Sequence, residues 1–491
     1  MKTMHNDITT EKEHGRFYTP DFIVNSILDL SGYYGSEILK KHAIDNSCGD
    51  GAFLCKIVQR YCNEAVEQGY SNESIRADLS NYIHGIEIDE TEHEKCLVNI
   101  NRIAAQFGIY NVDWDVLCGN SLTIKTYDGK MDYVLGNPPY VRVHNLGETF
   151  DNIKKFSFAQ NGMTDLFIVF YELGISMLNA NGTLGYITPS SYFNSLAGAY
   201  MRKYLTQENL LKTVVDLKHF QAFSATTYTA ITILKKGKDN RKVDYYGFDE
   251  QNLIPYYVET LTPDDYQIGS NYFFAKKEKL HMLQRILVNY GKCDIDVKNG
   301  YATLCDNVFI NSFKFQSKYI IPVIKSSKGT SQQIFYPYDE NGALISEDVL
   351  CKDEKMYQYL IDNKEKLIKR SNEKDADKYW YAFGRSQAIC DTYKDKLAIN
   401  SLLRSKEDFK FTKAPKGTGV YGGLYIISDT IPITEIMETL KTDEFMSYIE
   451  ILGKYKSGGY YTFSSKDVKA YLDYKYSYNG GILACWPINS F

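Results

Sequence analysis

Residues 131–140 read MDYVLGNPPY, an apolar run that ends in an amide, two prolines and an aromatic ring. Proline has no backbone N–H, so two in succession end the strand that precedes them. The Asn137 oxygen and the Pro138 carbonyl can each accept one hydrogen of an amino group, and Tyr140 can stack on a planar ring. The stretch predicts a strand end that binds a flat substrate carrying an exocyclic NH2. The alternative, an ordinary Pro-Pro loop, also fits the tetrapeptide on its own.

The residues around this turn alternate short β-rich runs with amphipathic stretches as far as residue 235. This alternation is typical of an open α/β sheet with helices on both faces. It predicts strands at 43–45, 83–88, 116–118, 131–136, 184–187, 214–216 and 228–234. It predicts helices at 52–65, 91–107 and 166–178. The fold class predicted for residues 1–245 is therefore a doubly wound α/β domain.

The sequence pattern changes at the charged, turn-rich stretch KKGKDNRK, which begins at Lys235. Beyond it tyrosines are frequent and the α/β alternation gives way to irregular segments. We therefore predict a second domain of mixed α+β structure over residues 246–491. Residues 1–234 hold 19 Lys and Arg against 27 Asp and Glu, whereas residues 235–491 hold 37 against 34. The basic excess lies in the second half, although such an excess is usually a solvated surface.

Composition narrows the class of protein further. The 491 residues are 44% hydrophobic and 24% charged, as in an ordinary soluble globular chain. We find neither an apolar stretch of membrane-spanning length nor the apolar core of a signal peptide. The ten cysteines form no CxxC pair and the eight histidines no metal-ligand spacing. These features predict free thiols in a reducing compartment such as the cytoplasm, and no metal site.

Two segments upstream of the Pro-Pro turn indicate a cofactor. Residues 45–51 read DNSCGDG between a predicted strand and a helix, where doubly wound sheets bind nucleotides. The loop matches neither GxGxxG nor a P-loop, which disfavours a pyrophosphate. Glu87, at the next strand end, can accept both hydroxyls of a ribose. Alone, these segments could be a tight turn and a helix cap at Asp89. Together with NPPY they predict S-adenosylmethionine, a nucleoside cofactor without pyrophosphate.

In this order and spacing, the motifs resemble those of the gamma-class N6-adenine DNA methyltransferases, the TaqI-type enzymes, over about residues 14–235. Gly15–Pro20 resembles the family's N-terminal motif, which closes over the methionine end of the cofactor, and Glu87 its ribose-binding acid. Asn120 departs from the family pattern, which usually has an aspartate that binds the cofactor adenine. The resemblance implies a set of cofactor-binding residues: Tyr18, Thr19, Asp45, Ser47, Cys48, Gly49, Glu87, Ile88, Asn120, Ser121, Asn137, Pro139 and Phe170.

The resemblance also implies the reaction. Residues 137–140 match the family's catalytic motif in full, so Asn137, Pro138, Pro139 and Tyr140 are the predicted catalytic residues. Methyl transfer would convert the exocyclic amine of an adenine in double-stranded DNA. Because that amine is inaccessible in the duplex, the base must be flipped out. Tyr140 would stack on the flipped base together with Phe223, for which a core position is an equal alternative. The scheme needs no metal.

By the same resemblance, residues 246–491 would recognise the DNA target, with phosphates and base edges as the contacts. The predicted DNA-binding residues are Arg370, Arg385 and Arg404, near the aromatic stretch 380–383. A buried aromatic core with surface charges explains that stretch equally well. The expected partners are double-stranded DNA and a separate restriction endonuclease, and the expected state is a monomer.

Three other functions share parts of this pattern. Protein-glutamine methyltransferases use NPPY, but there the motif lies towards the end of a much shorter chain. RNA methyltransferases account less well for the large second half. A non-catalytic DNA-binding module is disfavoured by the intact residues 137–140. A fused restriction nuclease is not expected, since no paired-acid-plus-lysine or His-Asn-His pattern is evident.

Overall fold

The computed structural model describes residues 18–143, 153–160, 163–223, 227–237, 241–288, 291–370 and 379–477. It divides into two compact units, Met1–His281 and Met282–Phe491. The boundary predicted at residue 245 falls inside a strand of the first unit. The sheet of that unit continues to residue 261.

The first unit contains the following strands: β1 (Ala43–Asp45), β2 (Ile83–Glu87), β3 (Asp115–Cys118), β4 (Met131–Gly136), β5 (Leu178–Pro189), β6 (Leu211–Asp216), β7 (Thr229–Lys235), β8 (Val243–Asp249), β9 (Ile254–Leu261), β10 (Gln267–Ile268) and β11 (Asn271–Tyr272). Its helices are α1 (Asp21–Leu30), α2 (Ala52–Glu67), α3 (Asn72–Tyr82), α4 (Glu90–Ala105), α5 (Leu166–Met177), α6 (Ala199–Gln207) and α7 (Pro263–Tyr266). Helix α8 (Lys277–Leu287) follows.

Nine of these strands form one sheet in the order β3-β2-β1-β4-β5-β7-β6-β8-β9. The strands from β3 to β5 in this order are parallel, and β7 runs antiparallel between β5 and β6. Every residue of β1 and β2 is buried. Strands that are buried on both faces need a layer on each side, which is the doubly wound arrangement predicted from the sequence. The carboxyl ends of β1, β2 and β4 therefore meet at one edge of the sheet.

Most predicted elements of the first unit have the expected type, and the structure adds several that the motifs did not indicate. Helix α1 follows Pro20 and buries Ile23, Val24, Ile27 and Leu28 on one face. Helices α3 and α6 are further additions, and β8 and β9 extend the sheet beyond the predicted closing pair.

The second unit contains these strands: β12 (Ile295–Asn299), β13 (Ile320–Lys325), β14 (Thr330–Phe335), β15 (Lys396–Ile399), β16 (Leu402–Leu403), β17 (Phe411–Ala414), β18 (Gly419–Tyr421), β19 (Leu424–Ser428), β20 (Tyr455–Lys456) and β21 (Tyr460–Thr462). Its helices are α9 (Asp306–Phe309), α10 (Glu347–Leu350), α11 (Glu354–Asp362), α12 (Lys364–Lys369), α13 (Ile433–Leu440), α14 (Asp443–Ile451) and α15 (Ser465–Tyr476).

Three small sheets organise the second unit, in the orders β12-β19-β15-β17, β14-β13-β18 and β16-β21-β20. The largest is antiparallel throughout, and β13 pairs with β18 in parallel. An aromatic core that includes Phe309, Phe335, Trp380 and Phe383 packs beside them. The mixed α+β class predicted for the second half is confirmed.

Candidate active site

A cavity of about 350 Å³ opens at the carboxyl edge of β1, β2 and β4. This volume lies within the usual range for small-molecule sites. Every residue predicted to bind the cofactor lines it: Tyr18, Thr19, Asp45, Ser47, Cys48, Gly49, Glu87, Ile88, Asn120, Ser121, Asn137, Pro139 and Phe170. Sequence positions up to 152 residues apart are thus brought to one cavity. Most of them follow or end a strand at this edge, whereas Tyr18 and Thr19 precede α1 and Phe170 lies in α5.

The loop between β1 and α2 forms one wall of the cavity. Gly49 and Gly51 have φ values of 52° and 91°, left-handed conformations that favour glycine. A Cβ atom at Gly51 would lie 2.9 Å from the Cys96 Sγ, so the loop also requires glycine for close packing. Gly49 therefore presents backbone without a side chain to the cavity, and Gly51 allows the loop to pack closely against α4.

Glu87 connects this loop to the start of α4. Its Oε2 accepts a hydrogen bond from the Gly49 N–H at 2.9 Å, and its Oε1 accepts one from the Asp89 N–H at 2.9 Å. The carboxylate is buried in the cavity wall. Each oxygen has a second lone pair, so Glu87 can still accept hydroxyl groups of a ligand.

Four carboxyl groups line the cavity, those of Asp45, Asp50, Glu87 and Glu92. The pKa of Asp45 is raised to about 8, mainly by burial; the hydrogen bond from the Ser47 N–H opposes this rise, and the nearby charges of Glu87 and Asp50 contribute to it. The buried Glu92 Oε2 has no hydrogen-bond partner among the described residues. No Lys, Arg or His belongs to the described lining. Such a site favours a cationic ligand and disfavours phosphate.

The remaining lining combines apolar side chains with the ends of the strands. Several of these residues were not among the predicted cofactor-binding residues: Asn46, Ala52, Phe53, Ile86, Leu122, Val141 and Leu166. Each lies next to, or within a helical turn of, a motif residue, which is the signal that could have found it. An apolar wall for a flat ring, an acid for ribose hydroxyls and carboxylates for positive charge together fit S-adenosylmethionine.

At Asn120 the sequence departs from the family pattern, and the side chain is held by the backbone of the same turn. Its Oδ1 accepts a hydrogen bond from the Leu122 N–H at 3.0 Å. The adjacent Ser121 hydroxyl donates to the Asn46 carbonyl at 2.6 Å, which ties this turn to the loop after β1. The Asn120 side chain lines the cavity from a fixed turn.

The Pro-Pro turn follows β4 directly, as predicted. The Asn137 Nδ2 donates to the Thr19 Oγ1 at 3.1 Å. The Tyr140 hydroxyl lies 2.6 Å from the Asn137 Oδ1 and 3.0 Å from the Ile187 carbonyl oxygen. A phenol has a single proton, so it donates to one of these two acceptors at a time. The amide of Asn137 is thereby held at the cavity wall with its oxygen and nitrogen distinguished.

Gly136 and Asp45 pack too closely for any other residue at position 136. A Cβ atom there would lie 2.6 Å from the Asp45 Oδ1. The last residue before the catalytic motif therefore contacts the first acid of the cofactor loop. This packing fixes the distance between the catalytic motif and the cofactor loop.

Three aromatic side chains near the Pro-Pro turn lie together. The ring of Phe223 is 6.1 Å from that of Tyr140, at an interplanar angle of 76°. The ring centroid of Phe167 lies 6.3 Å from that of Tyr140, at an interplanar angle of 80°. Phe223 is 7% exposed, so it is part of the packing around Tyr140 before any base is bound. Residues 15–17 and 224–226, which belong to two of the predicted motifs, lie outside the described residues.

The arginines predicted to bind DNA have different environments. Arg370 donates to the carbonyls of Thr303, Trp380 and Ala382, and its guanidinium lies over the Phe309 ring. The guanidinium is therefore bound by groups inside the second unit, and Arg370 is not expected to contact DNA. The aromatic stretch 380–383 belongs largely to the core, which is the alternative stated above.

Arg385 and Arg404 lie at the surface of the second unit. Arg385 is exposed. Arg404 stacks over the Tyr460 ring at 4.5 Å and lies 4.0 Å from the Asp408 carboxylate. Both remain candidate DNA contacts.

The described residues contain no group of three His, Cys, Asp or Glu side chains placed to hold a metal ion. Among the helices of the same residues, none has both the length and the apolarity needed to cross a membrane.

Comparisons with known proteins agree with this site. Residues 51–223 match the model of the Eco57I restriction-modification methylase family. The chain is 24% identical over 424 residues to the Type II methyltransferase M.BstVI of Geobacillus stearothermophilus, covering 76% of this chain and 73% of that protein. It is 23% identical over 406 residues to M.PaeR7I of Pseudomonas aeruginosa, covering 75% and 70%.

A solved structure shares the fold. The Type IIL restriction-modification enzyme MmeI, determined in complex with DNA, superposes with a TM-score of 0.61 at 15% identity. The match covers 90% of this chain and 63% of that one, so this chain spans less than two thirds of the larger enzyme. The family match also supports S-adenosylmethionine as the cofactor. The resemblance to the gamma-class DNA methyltransferases is therefore confirmed, with residues 51–223 forming the part that matches the Eco57I restriction-modification methylases.

Proposed function

We propose that this protein transfers a methyl group from S-adenosylmethionine to the exocyclic N6 amine of an adenine flipped out of double-stranded DNA. The observation that carries the proposal is the position of Asn137. Its amide lies in the wall of the acidic cavity, between the Thr19 hydroxyl and the Tyr140 hydroxyl. A hydrogen-bond acceptor for an amino group is thus next to the site that fits the methyl donor.

The chemistry required of the protein is positioning. The lone pair of an aromatic amine is delocalised into the ring, which makes the nitrogen a poor nucleophile. If Asn137 Oδ1 and the Pro138 carbonyl each accept one amino hydrogen, the nitrogen becomes pyramidal and its lone pair is localised. S-adenosylmethionine supplies the electrophilic methyl group when bound. The amine takes the methyl and loses a proton.

Tyr140 has two roles in this scheme. Its ring stacks on the flipped base, with Phe223 packed against it. Its hydroxyl holds Asn137 Oδ1 before the base arrives and can turn to the Ile187 carbonyl, 3.0 Å away, when the amino group takes its place. The catalytic oxygen thus exchanges one hydrogen bond for another and is never left buried without a donor.

The division of labour follows the two compact units. We propose that Met1–His281 carries methyl transfer and that the second unit, from Met282, recognises the DNA. The names of the relatives, Type II methyltransferases, and the DNA complex of MmeI support DNA as the substrate. The intact residues 137–140 support an amine as the acceptor and disfavour a non-catalytic module.

The test is transfer of labelled methyl from S-adenosylmethionine to duplex DNA, run beside RNA and a protein extract. Modification-sensitive sequencing of the DNA product should reveal N6-methyladenine at one sequence motif. Label in RNA or protein alone would overturn the proposed substrate. Methylcytosine in the DNA would overturn the choice of base.

A further inference from the structure

The edge strand β14 has an unusual distribution of exposure. Its first four residues, Thr330 to Gln333, are all exposed, whereas Ile334 and Phe335 are buried. Successive residues of a strand point to opposite faces. Residues 330–333 of β14, called the exposed half below, are therefore exposed on both faces. Ile334 and Phe335 anchor the strand in the aromatic core.

The turn that precedes this strand is held firmly. Ser326 is buried, its N–H donates to the Tyr421 carbonyl at 2.9 Å, and its hydroxyl donates to the Leu424 carbonyl at 3.3 Å. The Lys410 Nζ donates to the Ser327 carbonyl at 3.3 Å. The exposed half of the hairpin is thus presented by a fixed base rather than by a loose loop.

The charged side chains of the hairpin segment and of the segment that pairs with it are all lysines, and Asp306, which acts on Tyr421, lies just outside these segments. Residues 307–338 contain four lysines, and residues 409–428, which include β17 and β18, contain three. Neither segment contains an aspartate or a glutamate. The two segments pair through β13 and β18, and Lys410 contacts the hairpin turn. Surfaces that serve solubility alone usually mix both signs, so seven lysines without a carboxylate indicate an anionic partner.

The exposed side chains of β14 are hydroxyls and carboxamides. Gln332 Oε1 accepts a hydrogen bond from the Tyr421 hydroxyl, which orients this amide. Gln333 points to the opposite face of the strand and is exposed. Glutamine can bond both N6 and N7 of adenine, and serine or threonine can contact any base edge. The lysines cannot supply such selectivity, because phosphates carry no sequence information.

We propose that the exposed half of β14 reads base edges of the target DNA, and that Lys325, Lys328, Lys410 and Lys413 bind the flanking phosphates. The proposal rests on the proposed function, since it names the surface through which that activity would select its site. It adds a recognition surface distinct from Arg385 and Arg404.

The lysine part is tested by binding of duplex DNA over a series of salt concentrations. K328A/K410A/K413A should weaken binding and lower the slope of log affinity against log salt by about one for each lysine. The matched control is K352A/K355A/K366A, which removes three exposed lysines from the region of α11 and α12, where carboxylates are interspersed. That control should leave the slope unchanged.

The glutamine part is tested by sequencing the methylated sites. Q333A should keep cofactor binding and methyl transfer but lose about tenfold or more of its selectivity at one position of the motif. Q358A, which alters another exposed glutamine of the second unit, should keep the wild-type motif. Cofactor binding and thermal unfolding of each variant show whether it is folded.

The outcomes separate the two proposals. Absence of DNA methylation by the wild-type protein would overturn the proposed function, while loss of DNA binding in the lysine variant alone would still support the surface. A wild-type enzyme that methylates one motif, combined with hairpin variants of unchanged motif and salt slope, would overturn only the recognition surface. Binding of RNA in preference to duplex DNA through the same lysines would overturn the choice of partner.

Discussion

The hydroxyl of Tyr140 lies 2.6 Å from the side-chain oxygen of Asn137, three residues earlier in the same turn. The oxygen proposed to accept an amino hydrogen of the substrate is therefore already engaged by the residue proposed to stack on the substrate. Base binding and activation of the amine are coupled through these two side chains. Substitutions of Asn137 and of Tyr140 should therefore have different effects, which can be measured separately.

Asn137→Ala should abolish methyl transfer, with a loss of about 100- to 1,000-fold or more in kcat, because it removes one of the two acceptors for the amino group. Affinity for S-adenosylmethionine should change little, since the cofactor contacts many other residues. Isothermal titration and single-turnover transfer measure the two quantities. Asn194→Ala alters an exposed asparagine of the same unit and should change neither. Unchanged transfer by Asn137→Ala would refute the mechanism.

Tyr140→Phe and Tyr140→Ala should differ. Phenylalanine keeps the stacking ring and loses only the hydroxyl that holds Asn137, so activity should fall by less than about tenfold. Alanine also removes a stacking contact worth about 1–3 kcal/mol, so kcat/KM for DNA should fall by about 5- to 150-fold more than in the phenylalanine variant. Tyr110→Ala, at an exposed site of the same unit, is the control. Equal losses in both Tyr140 variants would argue against stacking on the base.

Asp45 should make cofactor binding depend on pH. Its raised pKa of about 8 means that the carboxyl is neutral at pH 6.5 and charged at pH 9. Affinity for the cationic cofactor should therefore rise through this window in the wild-type protein. The amino group of the cofactor titrates in both proteins, so the diagnostic quantity is the difference from Asp45→Asn. A parallel pH profile in that variant would exclude Asp45 as the cause.

The same carboxyl should affect folding stability with a definite sign. An Asp whose pKa rises from 3.8 to about 8 on folding binds more protons in the folded state, so stability falls as pH rises between these values. Asp45→Asn mimics the neutral form and should unfold at a higher temperature than the wild-type protein at pH 9, and at a similar temperature at pH 5. Thermal unfolding without cofactor at both pH values provides the measurement.

Glu87→Gln should weaken both the cofactor site and the loop that forms it. The variant places an amide NH2 against one of the backbone N–H groups of Gly49 and Asp89, where a carboxylate oxygen now accepts. Loss of a buried acceptor costs about 1–3 kcal/mol, so cofactor affinity should fall by about 5- to 150-fold. Glu90→Gln, an exposed acid in the first turn of α4, should bind as the wild-type protein does.

The sequence is sufficient to predict that the residues expected to bind the cofactor meet at one cavity, because most of them lie at strand ends. Asp45, Glu87 and Asn137 each follow or end a short strand, and parallel strands of one sheet bring their ends together. Only the strand order and the motif residues are needed for that inference. Residues such as Glu92 were not singled out because they face the cavity from a helix, where no motif marks them.

The sequence of helix α1 has an apolar pattern that is typical of a helix. Its buried positions, Ile23, Val24, Ile27 and Leu28, have the spacing of one helical face. The extension of the first sheet by β9 is harder to anticipate. Its mixed exposure, with Tyr256 and Tyr257 at the surface, lacks the regular alternation of a half-buried strand.

The second unit could not be derived in the same way, because its pairings connect distant segments. Strand β12 pairs with β19 across more than 100 residues of chain, and several strands have two or three residues. The role of Arg370 shows the same limit. Its carbonyl partners include Thr303, 67 residues earlier, so the sequence around Arg370 was not sufficient to show that the charge is used internally.

Glu87 has one more consequence for the proposed catalytic cycle. It contacts the loop and the start of α4 without touching the region where methyl transfer would occur, and the other cavity acids are likewise set by the fold. S-adenosylhomocysteine, which has lost only a methyl group and a positive charge, would keep the contacts to the ribose and the adenine. We therefore expect S-adenosylhomocysteine to compete with the cofactor for this site, and the lost attraction between the sulfonium charge and the acidic wall to favour exchange of spent for fresh cofactor.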